Sequence, residues 1–280
     1  MTTLSRVIQV TQPELAIDLL ARQAPDISKS KLKDAMAKGA VLFRRGKQVK
    51  RLRRAQTTLL VGDTLELHYN DDILSRPALS AVLVQDAGSY SVWFKPAGML
   101  SQGNEWGDHL ALLRVVELHF EQKRPVFLVH RLDREASGLV VIAHKQSTAA
   151  EFSQLIQQRK IEKRYHIQIK GQLASAWLET GVINEPLDGK ACETRFRVLQ
   201  VQAQPARTWL EIDLITGRKH QIRRHFTAIG YPVMGDPSYG KHNQDDAGLA
   251  LQAVQLRFQL KGQPSVTIEL PRQFHRFVTH

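Results

Sequence analysis

The sequence predicts a mixed α+β fold, and three observations support this class. Short apolar or alternating segments, typical of strands, occur at residues 127–130, 139–144, 165–170 and 209–215. These segments outnumber the helical ones and are not regularly separated by helices, so a doubly wound parallel sheet fits less well. Hydrophobic residues make up 42% of the chain, which is enough to build a sizeable core.

Length and charge narrow the possible classes of protein. The 280 residues suit one large domain, or a large domain with a small one. Lys and Arg total 39 against 27 Asp and Glu, which gives a net charge of +12. This balance predicts attraction to a polyanion, although by itself it does not separate RNA from DNA or an acidic membrane. A basic but otherwise ordinary enzyme is the alternative.

Several kinds of site and location are not expected. Cys192 is the only cysteine, so an intramolecular disulfide and a cysteine-based metal cluster are excluded. The N-terminus lacks the apolar core of a signal peptide, and no apolar run reaches the roughly 20 residues that span a bilayer. No HExxH or HxH pattern indicates a metal site. We therefore expect a soluble cytoplasmic protein without membrane association or bound metal.

The pattern divides the chain into a small α/β module at 8–70, a linker at 71–79 and a larger domain at 80–280. The module contains a helix that begins at Ser28 or Ser30, since serine is a favourable N-cap residue.

The module also carries the densest positive charge, at residues 44–54. Seven of these eleven residues are basic and none is acidic. A solvated loop is the simpler interpretation, but the preceding helix is basic too, which favours a phosphate-binding face. Arg51, Arg53 and Arg54 are the candidate phosphate contacts.

The first candidate for chemistry is the segment HRLDREASGL, residues 130–139, which lies between two apolar strands. Asp133 is flanked by Arg131 and Arg134. Nearby cations favour an ionised carboxylate, which can act as a nucleophile or base. The alternative is a structural salt bridge in a turn.

The second candidate is TGRKHQIRRH, residues 216–225, which follows a strand and opens a helix. Gly217 permits a tight entry, and a helix N-terminus attracts anions. Four Arg or Lys and two His within eight residues suit phosphate contact. The alternative is a basic amphipathic helix on the surface.

Two further segments give weaker indications of function. Lys163 and Tyr165 stand at the start of an alternating strand, where a tyrosine is more often part of the core. The segment GDPSYG, residues 235–240, reads by itself only as a cluster of turn residues.

Taken together, the segments resemble the RluA family of RNA pseudouridine synthases over roughly residues 90–271. The family segments HRLDxxTSGL, K-x-Y, GRxHQ-[IL]-RxH, GDxxYG and KPaG are matched by residues 130–139, 163–165, 217–225, 235–240 and 95–98. Ala136 departs from the usual Thr. The sister RsuA family typically has Gly before R-L-D, so His130 favours RluA.

Residues 8–70 are similar to the alpha-L RNA-binding motif, although residues 43–46, FRRG, depart from its usual V-N-G turn. The resemblance implies a largely antiparallel catalytic sheet of the pseudouridine synthase fold. It also implies isomerisation of a flipped-out uridine in rRNA or tRNA without a cofactor. We expect a monomer that binds RNA and needs no obligate protein partner.

The resemblance also implies roles for individual residues. Asp133 is the essential carboxylate, which either adds to the uracil ring or attacks or stabilises the anomeric carbon. Tyr165 stacks on the target base, Arg218 pairs with Asp133, and Ile222 packs against uracil. Arg131 fills the vacated stack or holds a phosphate. The further substrate-binding candidates are His130, Lys163 and Lys95. A non-catalytic RNA-binding protein and an Asp-nucleophile hydrolase remain as alternatives.

Overall fold

The computed structural model describes residues 2–276, which form two compact units. The first unit contains the chain as far as Leu79 together with Gln102–Glu121. The second contains Ser80–Ser101 and the chain from Gln122 onward. The chain passes from the first unit to the second between Leu79 and Ser80, and the later segment Gln102–Glu121 returns to the first unit.

The first unit consists of a four-stranded antiparallel sheet, a two-stranded sheet and four helices. Its elements are β1 (Thr3–Gln9), β2 (Glu14–Leu15), α1 (Ala16–Gln23), α2 (Lys29–Ala37), β3 (Val41–Arg45), β4 (Gln48–Arg51), β5 (Thr58–Leu59), β6 (Thr64–Asn70), α3 (Asp71–Ser75) and α4 (Leu112–His119). The larger sheet has the order β1-β6-β3-β4, and β2 pairs with β5.

The helices of this unit form where the sequence offers caps and an apolar face. The hydroxyl of Ser28 accepts a hydrogen bond from the backbone N–H of Lys31, which caps α2 as predicted. Leu32 and Met36 on its inner face are fully buried. The segment expected to be a linker begins with α3, whose Leu74 joins the same core. Strand β1 also begins before residue 8, because it pairs with β6 along its whole length.

The second unit is built on one ten-stranded mixed sheet. Its elements are β7 (Val82–Asp86), β8 (Tyr90–Lys95), β9 (Phe127–Leu128), β10 (Ser137–Ala143), α5 (Gln146–Gln157), β11 (Glu162–Lys170), α6 (Ser175–Thr180), β12 (Val182–Ile183), β13 (Thr194–Gln202), β14 (Arg207–Leu214), α7 (Gln221–Ala228), β15 (Leu251–Phe258), β16 (Val266–Glu269) and the 3-10 turn Arg272–Phe274.

The strand order β12-β13-β14-β11-β15-β10-β8-β7 confirms the predicted fold class. Strand β16 pairs with β15, and β9 pairs with β10. Among the described strands, β10 and β15 pair in parallel and the other pairs are antiparallel. Tyr90, Phe152 and Phe258 contact one another edge-to-face within a core formed where α5 packs on the sheet.

Gly138 lies at the most crowded point of this sheet. It pairs with Lys95 on β8 and with Ala253 on β15, and its φ is +120°. A Cβ at this position would lie 2.2 Å from the carbonyl oxygen of Ala253. The three strands can therefore meet only because residue 138 has no side chain.

The imidazole of His130 is part of the fold at the entrance to β10. Its Nε2 accepts a hydrogen bond of 3.0 Å from the backbone N–H of Val141. Burial, reinforced by the positive charge of Lys163, lowers the pKa of His130 to about 3. The ring is therefore neutral at physiological pH, as an acceptor at Nε2 must be.

Across residues 2–276, the helices are all too short or too polar to cross a membrane.

We predict that Gly138→Ala destabilises the protein by about 3 kcal/mol or more, because the new methyl group meets backbone atoms on β15. Gly88→Ala is the matched control. Gly88 also has a positive φ, +73°, but a Cβ there would meet nothing within 4 Å. The control should cost only about 1–2 kcal/mol of backbone strain. Urea unfolding of the two variants gives the comparison, and equal losses would contradict the steric explanation.

We also predict a specific contribution of His130 to acid sensitivity. The pKa of His130 is lower in the folded protein than in the unfolded chain. As the pH falls below about 6.5, the imidazole of His130 is therefore protonated in unfolded chains but stays neutral in folded ones. Stability from this group is complete above that pH and is lost towards pH 3, with a slope of up to about 1.4 kcal/mol per pH unit.

The variant His130→Gln keeps an acceptor near the position of Nε2 but cannot titrate. Its unfolding free energy, measured between about pH 7.5 and pH 4, should therefore depend less steeply on pH than that of the wild type. His242→Gln, which changes an exposed histidine, is the control. Parallel profiles for the wild type and His130→Gln would refute this assignment.

Candidate active site

The loop between β9 and β10 carries Asp133, and its backbone is held from several sides. The hydroxyl of Ser101 donates to the carbonyl of Leu132 at 2.7 Å and accepts from its N–H at 3.1 Å. The N–H of Gly98 donates to the carbonyl of Arg134 at 2.7 Å. These contacts bracket Asp133 on both sides, so its position is set by rigid neighbours rather than by a free loop.

Lys95 completes the support of this loop. Its fully buried ammonium donates to the carbonyl oxygens of Pro96, Met99, Arg134 and Ala136, at 2.7–3.4 Å. Burial lowers the pKa of Lys95 to about 7, whereas the four carbonyl acceptors favour the charged ammonium. The expectation that Lys95 binds substrate does not agree with this geometry, because its Nζ faces backbone oxygens.

The carboxylate of Asp133 is paired with a buried guanidinium. Nη1 of Arg223, from α7, donates to Oδ2 of Asp133 at 3.1 Å, and the Arg223 side chain is 1% exposed. Its opposite edge donates to both oxygens of Asp236, at 2.8 and 2.7 Å. Burial alone would lower the pKa of Arg223, but hydrogen bonds to Asp236 and then Asp133 outweigh it and raise the pKa above its usual value.

This pairing corrects the expectation for Arg218. Among residues 2–276, the side chains within ion-pair distance of Asp133 are those of Arg223 and His220. Arg218 lies before α7 begins, is exposed, and contributes its backbone N–H to Oε1 of Gln221. Helical periodicity places Arg223 on the inner face of α7, three residues before the buried Phe226, but it does not identify the partner of the guanidinium.

Tyr165, on β11, belongs to the same candidate site as Asp133. The pairing of β11 with β15 shifts register between Arg164 and Tyr165, which leaves Val254 unpaired and marks a bulge. Burial, reinforced by the charge of Asp133, raises the pKa of Tyr165, so its phenol stays neutral. Ile222 is also buried and lines the same cavity.

His220 was not among the predicted site residues, yet it lies at the carboxylate. Its Nε2 is 3.6 Å from Oδ1 of Asp133, and its Nδ1 is 2.9 Å from the hydroxyl oxygen of Tyr239. Burial lowers the pKa of His220, although the charge of Asp133 opposes this effect. The backbone of His220 is left-handed, with φ +54°, where it forms the N-cap of α7.

These side chains surround an open cavity of about 610 Å³, a size suited to a small ligand group. Exposed cations stand around it, including Arg131, Arg159, Arg218 and Lys219. Lys163 also lines it, and burial lowers the pKa of its ammonium. His130 forms part of the wall, but its Nε2 is already occupied by the backbone of β10.

The basic run of the first unit is largely engaged within that unit. Arg51 and Arg53 both pair with Oδ2 of Asp108, at 3.1 and 2.5 Å, and Arg51 also donates to the carbonyl of Asn104. These two arginines hold the segment 102–111 and are not free for phosphate, unlike the expectation. Arg54 is exposed and has no ion pair among the described residues.

Comparison with known proteins agrees with this geometry. Residues 89–228 match the family described as RNA pseudouridylate synthase. An uncharacterized RNA pseudouridine synthase of Aquifex aeolicus is 30% identical over 243 residues, which cover 79% of this chain and 75% of that protein. Ribosomal large subunit pseudouridine synthase C of Vibrio cholerae is 29% identical over 254 residues, covering 81% and 77%.

Solved structures show the same fold. The human RNA pseudouridylate synthase domain containing 1 aligns with a TM-score of 0.57 at 21% identity, covering 71% of this chain and 87% of that one. Human RNA pseudouridylate synthase domain containing 4 aligns with a TM-score of 0.53 at 22% identity, covering 69% and 89%. The chain described here belongs to the RNA pseudouridylate synthase family and is an RNA pseudouridine synthase.

Proposed function

We propose that this enzyme isomerises uridine in ribosomal RNA with Asp133 as its catalytic carboxylate. The observation that supports this most is the placement of Asp133 against the buried Arg223, beside Tyr165, on the wall of an open cavity. The reaction breaks the bond from C1′ to N1 of uracil, rotates the base and joins C1′ to C5. N1 gains a proton and C5 loses one, so no oxidant or transferred group is needed.

Asp133 can serve this reaction by either of two routes. The carboxylate adds to the uracil ring, or it attacks or stabilises the anomeric carbon when the glycosidic bond breaks. Both routes require an anionic carboxylate at the same point, and Arg223 supplies a permanent positive partner. The rigid support of the loop by Ser101 and Lys95 keeps this carboxylate in place without reorganisation.

The cavity wall suits a single flipped pyrimidine base. Tyr165 provides a neutral aromatic ring for stacking, and Ile222 provides apolar contact. A base inside folded RNA must leave its stack, at a cost of a few kcal/mol. Arg131 at the cavity edge can fill the vacated position or hold a phosphate, and Lys163 offers a further cation. A non-catalytic RNA-binding role is not favoured, because Asp133, Tyr165 and Arg223 are all in place.

The substrate class is inferred from the relatives. The Vibrio cholerae protein and a Nitrosomonas europaea protein are named ribosomal large subunit pseudouridine synthases C and D. We therefore assign large-subunit rRNA rather than tRNA as the substrate. The proposal also keeps the expectation, made from the sequence, of a monomeric cytoplasmic enzyme. Mapping of pseudouridine in rRNA and tRNA from a deletion strain tests this assignment. Loss of a site confined to tRNA would overturn it.

We also infer that the first unit contains an alpha-L-type RNA-binding module at residues 8–70. Its helix α2 and the run at 44–54 are basic, and the exposed Lys47, Lys50 and Arg54 have no ion pairs within the described chain. These three cations, rather than Arg51 and Arg53, are the candidates for phosphate contact. The module adds affinity and site selection but no chemistry.

The variant Asp133→Asn should have less than about one percent of wild-type turnover, because the amide is nearly isosteric but a far poorer nucleophile. RNA affinity should stay within a few fold. Product formation and binding are measured on the same RNA. Asp213→Asn, which neutralises an exposed carboxylate on β14, is the matched control and should retain activity. Substantial turnover by Asp133→Asn would remove Asp133 from the proposed role.

Arg54 and the pair Arg51 and Arg53 should respond differently to neutralisation. Arg54→Gln should flatten the log–log dependence of RNA binding on salt by roughly 0.7 to 0.9 units, as expected for one phosphate contact. Arg51→Gln with Arg53→Gln should instead lower stability by about 2 kcal/mol, because Asp108 loses both partners. Salt titrations and urea unfolding separate the two outcomes. A larger slope change in the double variant would restore the phosphate interpretation for Arg51 and Arg53.

A further inference from the structure

The turn at residues 235–240 follows α7 and is rigidly built. Gly235 has φ +68°, and a Cβ there would lie 2.0 Å from the carbonyl oxygen of Gly248. The N–H of Gly235 donates to the carbonyl of Asn243 at 2.6 Å. The amide of Asn243 in turn donates to the carbonyls of Val233 and Tyr239. The turn is therefore fixed against its surroundings at both ends.

Asp236 is the buried anion of this turn, with a side chain that is 0% exposed. Its Oδ1 accepts from the backbone N–H groups of Ser238 and Tyr239 and from Nη2 of Arg223, at 2.7–3.0 Å. Its Oδ2 accepts from Nε of Arg223 at 2.8 Å. Because one whole edge of the planar guanidinium is held in this way, Nη1 is the group left to reach Asp133.

Tyr239 supports the other side of the same carboxylate. Its ring lies under the guanidinium of Arg223, 5.1 Å from centroid to Cζ. Its hydroxyl lies 2.9 Å from Nδ1 of His220, whose Nε2 faces Oδ1 of Asp133. With the imidazole proton on Nε2 and directed at that anion, Nδ1 is an acceptor and the hydroxyl of Tyr239 donates to it.

The backbone of His220 is left-handed, a conformation that is uncommon for residues other than glycine. The side chains of Arg223 and His220 approach different oxygen atoms of the Asp133 carboxylate. Nη1 of Arg223, which Asp236 holds, donates to Oδ2 of Asp133, and Nε2 of His220, next to Tyr239, lies 3.6 Å from Oδ1. The turn therefore supports both side chains that flank the Asp133 carboxylate.

We propose that Asp236 and Tyr239 are positioning residues for the isomerisation, acting through Arg223 and His220 to orient both oxygens of Asp133. This inference rests on the proposed role of Asp133. Asp236 also shares the positive charge of Arg223. Without it, the guanidinium turns a second N–H onto Asp133 and occupies the lone pairs that must face the substrate.

The expected result is a loss of rate without a loss of binding. At saturating RNA, Asp236→Asn should lower the single-turnover rate about 100-fold, as expected when a reacting group is misplaced by about 1 Å. Tyr239→Phe keeps the ring under Arg223 and removes only the hydroxyl, so its fold should survive, and its rate should fall about 10-fold. RNA dissociation constants should stay within about two fold of the wild-type value.

Chemical rescue separates positioning from a purely structural role. Arg223→Ala leaves a space beside Asp236 and Asp133 in which free guanidinium can bind, and added guanidinium at millimolar concentration should raise its rate at least 10-fold. Urea, a neutral molecule of similar shape, is the control and should not raise the rate. In Arg223→Ala combined with Asp236→Asn, the rescue by guanidinium should disappear, because the anchoring carboxylate is missing.

The outcomes distinguish this inference from the proposed function. If Asp133→Asn is inactive but Tyr239→Phe has the wild-type rate and rescue is independent of Asp236, the positioning role is overturned and Asp133 keeps its role. If Asp133→Asn remains active, the proposed catalytic role itself fails. Rate losses in the turn variants that are matched by equal losses of RNA affinity would also overturn the positioning role.

Discussion

The candidate active site depends on a single buried guanidinium shared between two carboxylates. Arg223 lies between Asp133 and Asp236, almost wholly out of solvent. An unshared charge at this depth would be strongly destabilising, whereas two anionic partners that satisfy its N–H groups compensate for its lost hydration. The arrangement also requires that segments far apart in the chain meet at one point, so the fold around the cavity is built to bring them together.

The surrounding backbone holds the loop that carries Asp133 rigidly in place. Gly138 lets three strands meet close to the loop that carries Asp133, and the ammonium of Lys95 donates to backbone carbonyls of that loop. Both residues belong to segments that carry the family resemblance. Their role is to support the backbone, since neither residue lines the cavity next to Asp133. Rigid presentation of a charged group reduces the reorganisation needed when substrate binds.

The distribution of positive charge differs between the two units. In the first unit, Arg51 and Arg53 are engaged by Asp108, so the net charge of the run at 44–54 overstates the number of cations free to bind RNA. Around the cavity of the second unit, Arg131 and Lys219 remain exposed. Net charge therefore predicts a polyanionic partner correctly, but the number of phosphate contacts depends on which cations lack internal partners.

The sequence by itself determined the fold class and the family, because short contiguous motifs and hydrophobic periodicity carry that information. It also identified Asp133, Tyr165 and Ile222 as candidates, and the structure places all three on the wall of one cavity. Only the tertiary structure decided which arginine pairs with Asp133. The ion pair joins residues 90 positions apart, and the motif around Arg218 contains several basic residues at similar spacing. The tertiary structure also showed that Lys95 faces backbone carbonyls, and that His220 and Asp236 lie at the site. Those roles depend on long-range contacts, which local patterns cannot specify.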